Sequence, residues 1–261
     1  MDVFSLIMGK IGLFLVVFAR VSGIFSMAPF LGSKNIPPHI KIGLAFFIAL
    51  IIFPTVGSNY QATAETVLWF YVGIIIKEFT IGLIIGFISY LVFAAIQMAG
   101  SLIDVGIGFS IVSVLDPHSG TQMPLTGLFN YLLAILLFLG VNGHHVLITA
   151  LSDSFKLIPI GAAIPADSVM THVTNVFTAA FGFALKVALP VIVTLFLVDV
   201  AFGVINRTVP QMNVFMVGMP AKIIMGFLVM VLALPIYLIV IQIGFTGMYI
   251  DLYRMLEILH P

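Results

Sequence analysis

Residues 104–125 read DVGIGFSIVSVLDPHSGTQMPL and lie between two of the longest apolar runs in the chain. The flanks have the character of membrane helix. The stretch itself holds Gly106, Gly108, Pro117, Gly120 and Pro124, two aspartates, and no lysine or arginine. Glycine and proline at that density break helices. Irregular backbone beside lipid-grade segments is tolerated only where protein buries it or where it lines a wet cavity. A pathway through a membrane assembly is therefore the first function to consider.

Composition points the same way. The 261 residues are 62% hydrophobic and 8% charged, whereas a soluble domain carries roughly a quarter charged residues. So few charges cannot cover a soluble domain of this size, so the chain belongs to the bilayer or to equally apolar neighbours. Ten basic and ten acidic residues cancel, which leaves no basic footprint for nucleic acid. The absence of cysteine excludes disulfides, thiolate metal sites and a cysteine nucleophile. The first apolar run, Ile11 to Ala19, is short and ends at Arg20. The one A-x-A-like point ends at Ala28, before Pro29, so a retained helix is expected here rather than a cleaved leader.

Six apolar blocks follow one another: Ile11–Leu31, Ile42–Val56, Val67–Ile103, Thr126–Leu151, Val173–Ile205 and Ile223–Ile250. A span needs about 20 residues, and three blocks fit that length badly. The second is short. The third is interrupted by Lys77-Glu78, and the fifth carries Lys186, Pro190 and Asp199. Both long blocks are open to tilted helices, broken helices or tight hairpins. The basic connections, with Lys34 and Lys41 in one and Arg207 and Lys222 in the other, fall on the cytoplasmic side by the positive-inside rule. Six simple spans then leave both termini outside.

Ionisable residues within apolar segments are costly. Arg20, Lys77, Glu78, Lys186 and Asp199 are of this kind. An ion relay is one reading. Structural pairing between packed helices, or snorkelling at a boundary, is the plainer and preferred one. His144-His145 is the one histidine pair, but helix neighbours point about 100° apart and make poor joint ligands. A helix end or polar packing beside Asn142-Gly143 explains them without a metal. Gly82-x-x-x-Gly86 permits close helix approach, within or between subunits. Met212, Met216 and Met219 cluster between Pro210 and Pro220, with Met123 at the end of the central stretch. Thioethers repack easily and suit a compliant seal, although ordinary packing accounts for most methionines.

Three segments carry a family pattern: FARVSGIFSMAPFLGSKNIPPHIKIGLA (18–45), the central stretch with Asp116-Pro117 and Met123-Pro124, and NRTVPQMNVFMVGMPAKI (206–223). In order and over nearly the whole chain they resemble the FliR family of type III export-gate proteins. The third segment, N-R…P-Q-x-N-x-F…G-x-P, is the most specific. The resemblance implies an all-α, membrane-associated protein of bent helices and helical hairpins. It forms a single domain over 1–261 in a helical gate with FliP and FliQ homologues, beside FlhB and FlhA homologues. The implied location is the bacterial inner membrane at the flagellar basal body, in contact with lipid. The implied cargo is unfolded flagellar protein, conducted without catalysis and without a cofactor or metal. In that family the loop matching 106–123 plugs the closed channel. The role carries to Gly106, Gly108, Phe109, Ser110, Asp116, Pro117 and Met123. The motif positions Arg20, Pro29, Pro37, Asn206, Arg207, Pro210, Gln211, Asn213, Phe215, Gly218 and Pro220 are carried as family pattern and assembly residues.

The residues agree with a plug. Phe109, Ile111, Val112, Val114 and Leu115 are able to fill a constriction, glycines supply hinges, and Asp116-Pro117 initiates a turn. The plain alternative is a connector, but structureless loops beyond roughly 12–15 residues are usually functional or disordered, and this one is too apolar for disorder. A competing function is an ion-coupled small-solute transporter using Lys186, Asp199 or Glu78 at a midplane site. It calls for internal pseudo-symmetry, which the chain lacks. An intramembrane enzyme around His144-His145 has the least support. No G-x-x-x-x-G-K-[ST] phosphate loop occurs.

Overall fold

The computed structural model describes residues 3–29, 32, 36–56, 68–109, 124–209, 211 and 214–260. Among them the regular structure is helical throughout: α1 Val3–Met27, α2 Pro38–Val56, α3 Leu68–Ile107, α4 Leu125–Gly140, α5 Gly143–Leu157, α6 Ala166–Thr208 and α7 Val214–Leu259. The protein is an all-α, membrane-associated chain. Among the described residues five helices (α1, α2, α3, α6 and α7) are long and apolar enough to cross a membrane, and α4 with α5 make a sixth span if the broken pair is taken as one.

The two long blocks resolve as continuous helices. Lys77 and Glu78 lie inside the 40 residues of α3, and Pro190 inside the 43 of α6. Proline removes one N–H bond from a helix without ending it where the flanking turns hold. The fourth block, in contrast, splits. Asn142 takes the left-handed conformation with φ 57°, which asparagine tolerates better than most residues, and α5 starts at Gly143. His144 and His145 therefore occupy the first turn of a helix, their ring centroids 4.2 Å apart.

Packing divides the chain into two units, Met1–Leu91 with Asn142–Phe177 and Gly247–Pro261, and Val92–Val141 with Thr178–Thr246. In the first unit α1 and α3 meet backbone to backbone. A Cβ on Gly23 would collide with the Phe79 carbonyl and stand 2.9 Å from the Leu83 nitrogen. One on Gly82 would collide with the Arg20 carbonyl, and one on Gly86 would stand 2.8 Å from the Ile24 carbonyl oxygen. The glycine pair read from the sequence thus serves contact within the chain, with Gly23 as its complement. Phe14 of α1 packs edge-on against Phe46 and Phe53 of α2, at 5.2 and 5.9 Å between centroids.

In the second unit Phe93, Phe138 and Phe245 form a buried triad with centroids 5.3–5.4 Å apart. Edge-to-face and offset rings of this kind add to the area they bury. Outward faces stay apolar. Phe181, Leu185, Phe196 and Val200 on α6 and Val231, Leu232, Ile236 and Ile239 on α7 are all exposed. Lipid or protein must cover such faces.

Candidate functional site

Asp104 closes one helix and opens the next. Its backbone carbonyl accepts N–H bonds from both Gly108 and Phe109, each at 3.0 Å, and Gly108 has φ 98°. A left-handed glycine just beyond the last turn is the usual way to end a helix. The Asp104 carboxylate, 4% exposed, reaches the start of α4. There it accepts the Thr126 N–H at 3.0 Å and also the Thr126 hydroxyl. The N-cap position of α4 is Pro124, which makes no side-chain cap bond. The first N–H groups of a helix need partners and favour negative charge. Asp104 supplies both from the preceding helix.

One turn back, α3 and α4 touch through glycine. A Cβ on Gly100 would collide with the backbone of Gly127, and one on Gly127 would stand 3.0 Å from the Gln97 carbonyl oxygen. The two stems of the central stretch are therefore pinned by a buried carboxylate and by a contact that no side chain fits.

The first stem is also gripped. A Cβ on Gly106 would meet Leu195 of α6 at 3.1 Å, and one on Gly108 would meet Met219 of α7 at 3.7 Å. Ile107 packs on Gly226, where a Cβ would stand 2.8 Å from its Cγ1, and the Phe109 ring lies 6.2 Å from that of Phe227. Met219 belongs to the methionine cluster singled out in the sequence. The irregular stretch begins at Gly108 rather than Asp104, because α3 continues through Ile107. Gly106 is helical, its missing side chain giving room to Leu195, so only Gly108 of these two has hinge-like backbone. Ser110, Asp116, Pro117, Gly120 and Met123 lie outside the described residues.

The motif residues divide. Arg20 is fully buried. Its Nε–H donates to Glu78 Oε2 at 2.6 Å. Nη1–H donates to the Ser154 carbonyl at 2.8 Å and to its Oγ at 3.2 Å, and Nη2–H to the Ile158 carbonyl at 3.2 Å. The guanidinium also stacks on Phe155, 4.2 Å from the ring centre. It thus caps the carbonyl end of α5, where a cation is favoured. Glu78 Oε1 accepts the Gly161 N–H at 2.9 Å, so both carboxylate oxygens are satisfied. Pro29 is buried and Pro37 exposed. Asn206 and Arg207 are exposed in the last turn of α6, and Gln211 is exposed beyond it. Gly218 is buried in the first turns of α7 and Pro220 is exposed there. Pro210 and Asn213, and the side chain of Phe215, lie outside the described residues.

Each transporter residue is engaged or exposed within its own unit. Glu78 is committed to Arg20 and Gly161, Asp199 pairs with Lys222 in the second unit, and Lys186 is exposed. Structural pairing, the preferred reading of the charges within apolar segments, holds for the buried Arg20 and Glu78 and for the half-exposed Asp199. Among the described residues no three histidine or acidic side chains are placed to hold a metal. Two residues of the site escaped the sequence reading. Asp104 was visible there only as one of two aspartates in a charge-poor stretch. Thr126 was merely the first residue of an apolar block.

Residues 11–248 match the family described as Bacterial export proteins, family 1. The chain is 39% identical over 236 residues to the flagellar biosynthetic protein FliR of Bacillus subtilis (strain 168), covering 89% of this chain and 90% of that one. It is 32% identical over 217 residues to the FliR of Escherichia coli (strain K12), with 83% and 82% covered. It is also 32% identical over 247 residues to that of Aquifex aeolicus (strain VF5), with 95% and 93% covered. With a family match over most of its length and full-length relatives at this identity, the chain belongs to the bacterial export proteins of family 1, among the flagellar biosynthetic FliR proteins.

Proposed function

We propose that this chain is a non-enzymatic subunit of the flagellar type III export gate in the bacterial inner membrane. It forms part of the channel that conducts unfolded flagellar proteins, together with FliP and FliQ homologues and beside FlhB and FlhA homologues. The stretch 106–123 is the gating plug. Membership in the export family supports the setting. The observation that carries the plug reading is the pinning of its two stems, Asp104 to Thr126 and Gly100 to Gly127. A segment that must block and clear a passage needs fixed ends and a deformable middle. Its glycines, β-branched residues and lack of lysine and arginine fit a seal that tolerates any passing sequence.

The exposed apolar faces of α6 and α7 suit burial against partner subunits and lipid. Co-expression with FliP and FliQ homologues is expected to give one complex that survives purification in detergent. A chain that is stable and monodisperse alone, and that moves a small solute when reconstituted alone, would overturn the reading.

A further inference from the structure

The end of α3 sits in a grip whose two jaws are joined by an ion pair. One jaw is Leu195 of α6, against Gly106. The other is the face of α7 that carries Met219, Gly226 and Phe227, against Gly108, Ile107 and Phe109. Asp199 lies four residues beyond Leu195, and Lys222 lies three residues after Met219 and four before Gly226. Residues three and four apart share a helix face, so both charges stand on the faces that hold the stem. Lys222 Nζ and Asp199 Oδ1 form an ion pair. It lies between helices rather than along one, and in an apolar stretch where neither charge has another described ionic partner. Asp199 is 50% and Lys222 24% exposed, so the pair is reachable and able to break without emptying a core.

We infer that Asp199 and Lys222 are positioning residues of the plug. Their attraction holds α6 against α7 at the level where the two helices clamp the last turn of α3, and so sets how readily Gly106–Phe109 is released. The inference rests on the plug reading for its consequence, but the clamp itself is a property of residues whose contacts are described.

The chain has no cysteine, so a thiol placed at Phe109 reports on the stem by its rate of maleimide labelling in the complex with FliP and FliQ homologues. D199N and K222M, each combined with F109C, are expected to label about two- to fivefold faster, the range that follows from losing a partly exposed ion pair. The charge swap D199K/K222D is expected to return labelling toward the original rate. F177C, on an exposed position in the other unit, is expected to label alike in every background. This control separates release of the stem from general loosening.

Unaltered labelling of F109C in D199N and K222M overturns the inference, as does a charge swap that labels as fast as the single variants. Ion leak measured in the same complexes tests the other claim. A deletion of residues 110–121 that leaves permeability unchanged overturns the plug reading and leaves the clamp standing.

Discussion

Arg20 and Glu78, 58 positions apart, meet at 2.6 Å with neither side chain exposed. Between them they tie α1, α3, the carbonyl end of α5 and the turn at Gly161. Breaking a buried pair strands the remaining charge, which costs about 3–5 kcal/mol, whereas replacing both partners by apolar groups is often near neutral. R20M or E78Q alone is expected to abolish or sharply lower the yield of folded complex. R20M/E78M is expected to recover part of it, limited by the α5 carbonyls and the Gly161 N–H that lose their partners. Thermal unfolding of the purified complexes in a double-mutant cycle checks this.

The glycine contact between α1 and α3 has no slack. G23L and G82L drive a side chain into opposing backbone, and overpacking that cannot relax costs typically 1–3 kcal/mol or more. Both are expected to reduce complex yield severely. G43L and G182L, at positions with open space around them, are expected to leave the fold of this subunit intact. Yield and melting temperature of the purified complex report the contrast.

Asp104 is expected to matter by its charge and by its reach. D104A leaves the Thr126 N–H without a partner in a buried place, a loss of about 1–3 kcal/mol. D104N keeps an acceptor but loses the charge at the start of α4. The expected order of melting temperature is wild type, then D104N, then D104A, with T126V beside D104N. A D104A protein as stable as wild type would mean that the Asp104–Thr126 contact does not hold the two helices.

Gly106 and Gly108 are expected to separate. G108V puts a β-branched residue at φ 98°, a strain on the order of 1–3 kcal/mol. G106V sits in regular helix and must only displace Leu195. Secretion and motility are expected to fall more in G108V. Equal effects would mean that packing on α6, rather than backbone freedom, governs the stem.

Arg207 is exposed in the last turn of α6, where its charge suits the helix end. R207A is expected to change the stability of this subunit by less than about 0.5 kcal/mol. If the residue pairs across a subunit contact, complex yield falls all the same. Co-purification measures that, and a normal yield leaves Arg207 as a surface charge.

Some of this was legible in the residues. Gly82-x-x-x-Gly86 announced a close helix approach, because glycine spacing is local. The break at Asn142-Gly143 showed as a candidate helix end for the same reason. α3 runs further than its local sequence suggests, since Gly106 counts as a breaker in isolation but is accommodated by Leu195, a neighbour some ninety positions on. The partners of Arg20 were hidden as well. Its charge is balanced by Glu78 and by carbonyls of α5, and nothing in any one segment shows that three segments converge there. Asp104 was missed because its work is done at the beginning of another helix. In general the local choices of backbone were readable, and pairings across long sequence distance were not.

The clasp between Asp104 and Thr126 has a bearing on how this protein can vary over generations. Both flanks of the central stretch, Asp104 and Thr126, are held to each other. A change of length between those points is then taken up by the stretch itself before it reaches the helices. Loop closure costs little more as a loop lengthens. On the proposed plug role, selection for what the stretch blocks or admits can therefore act on its interior, while the scaffold around it keeps its own constraints.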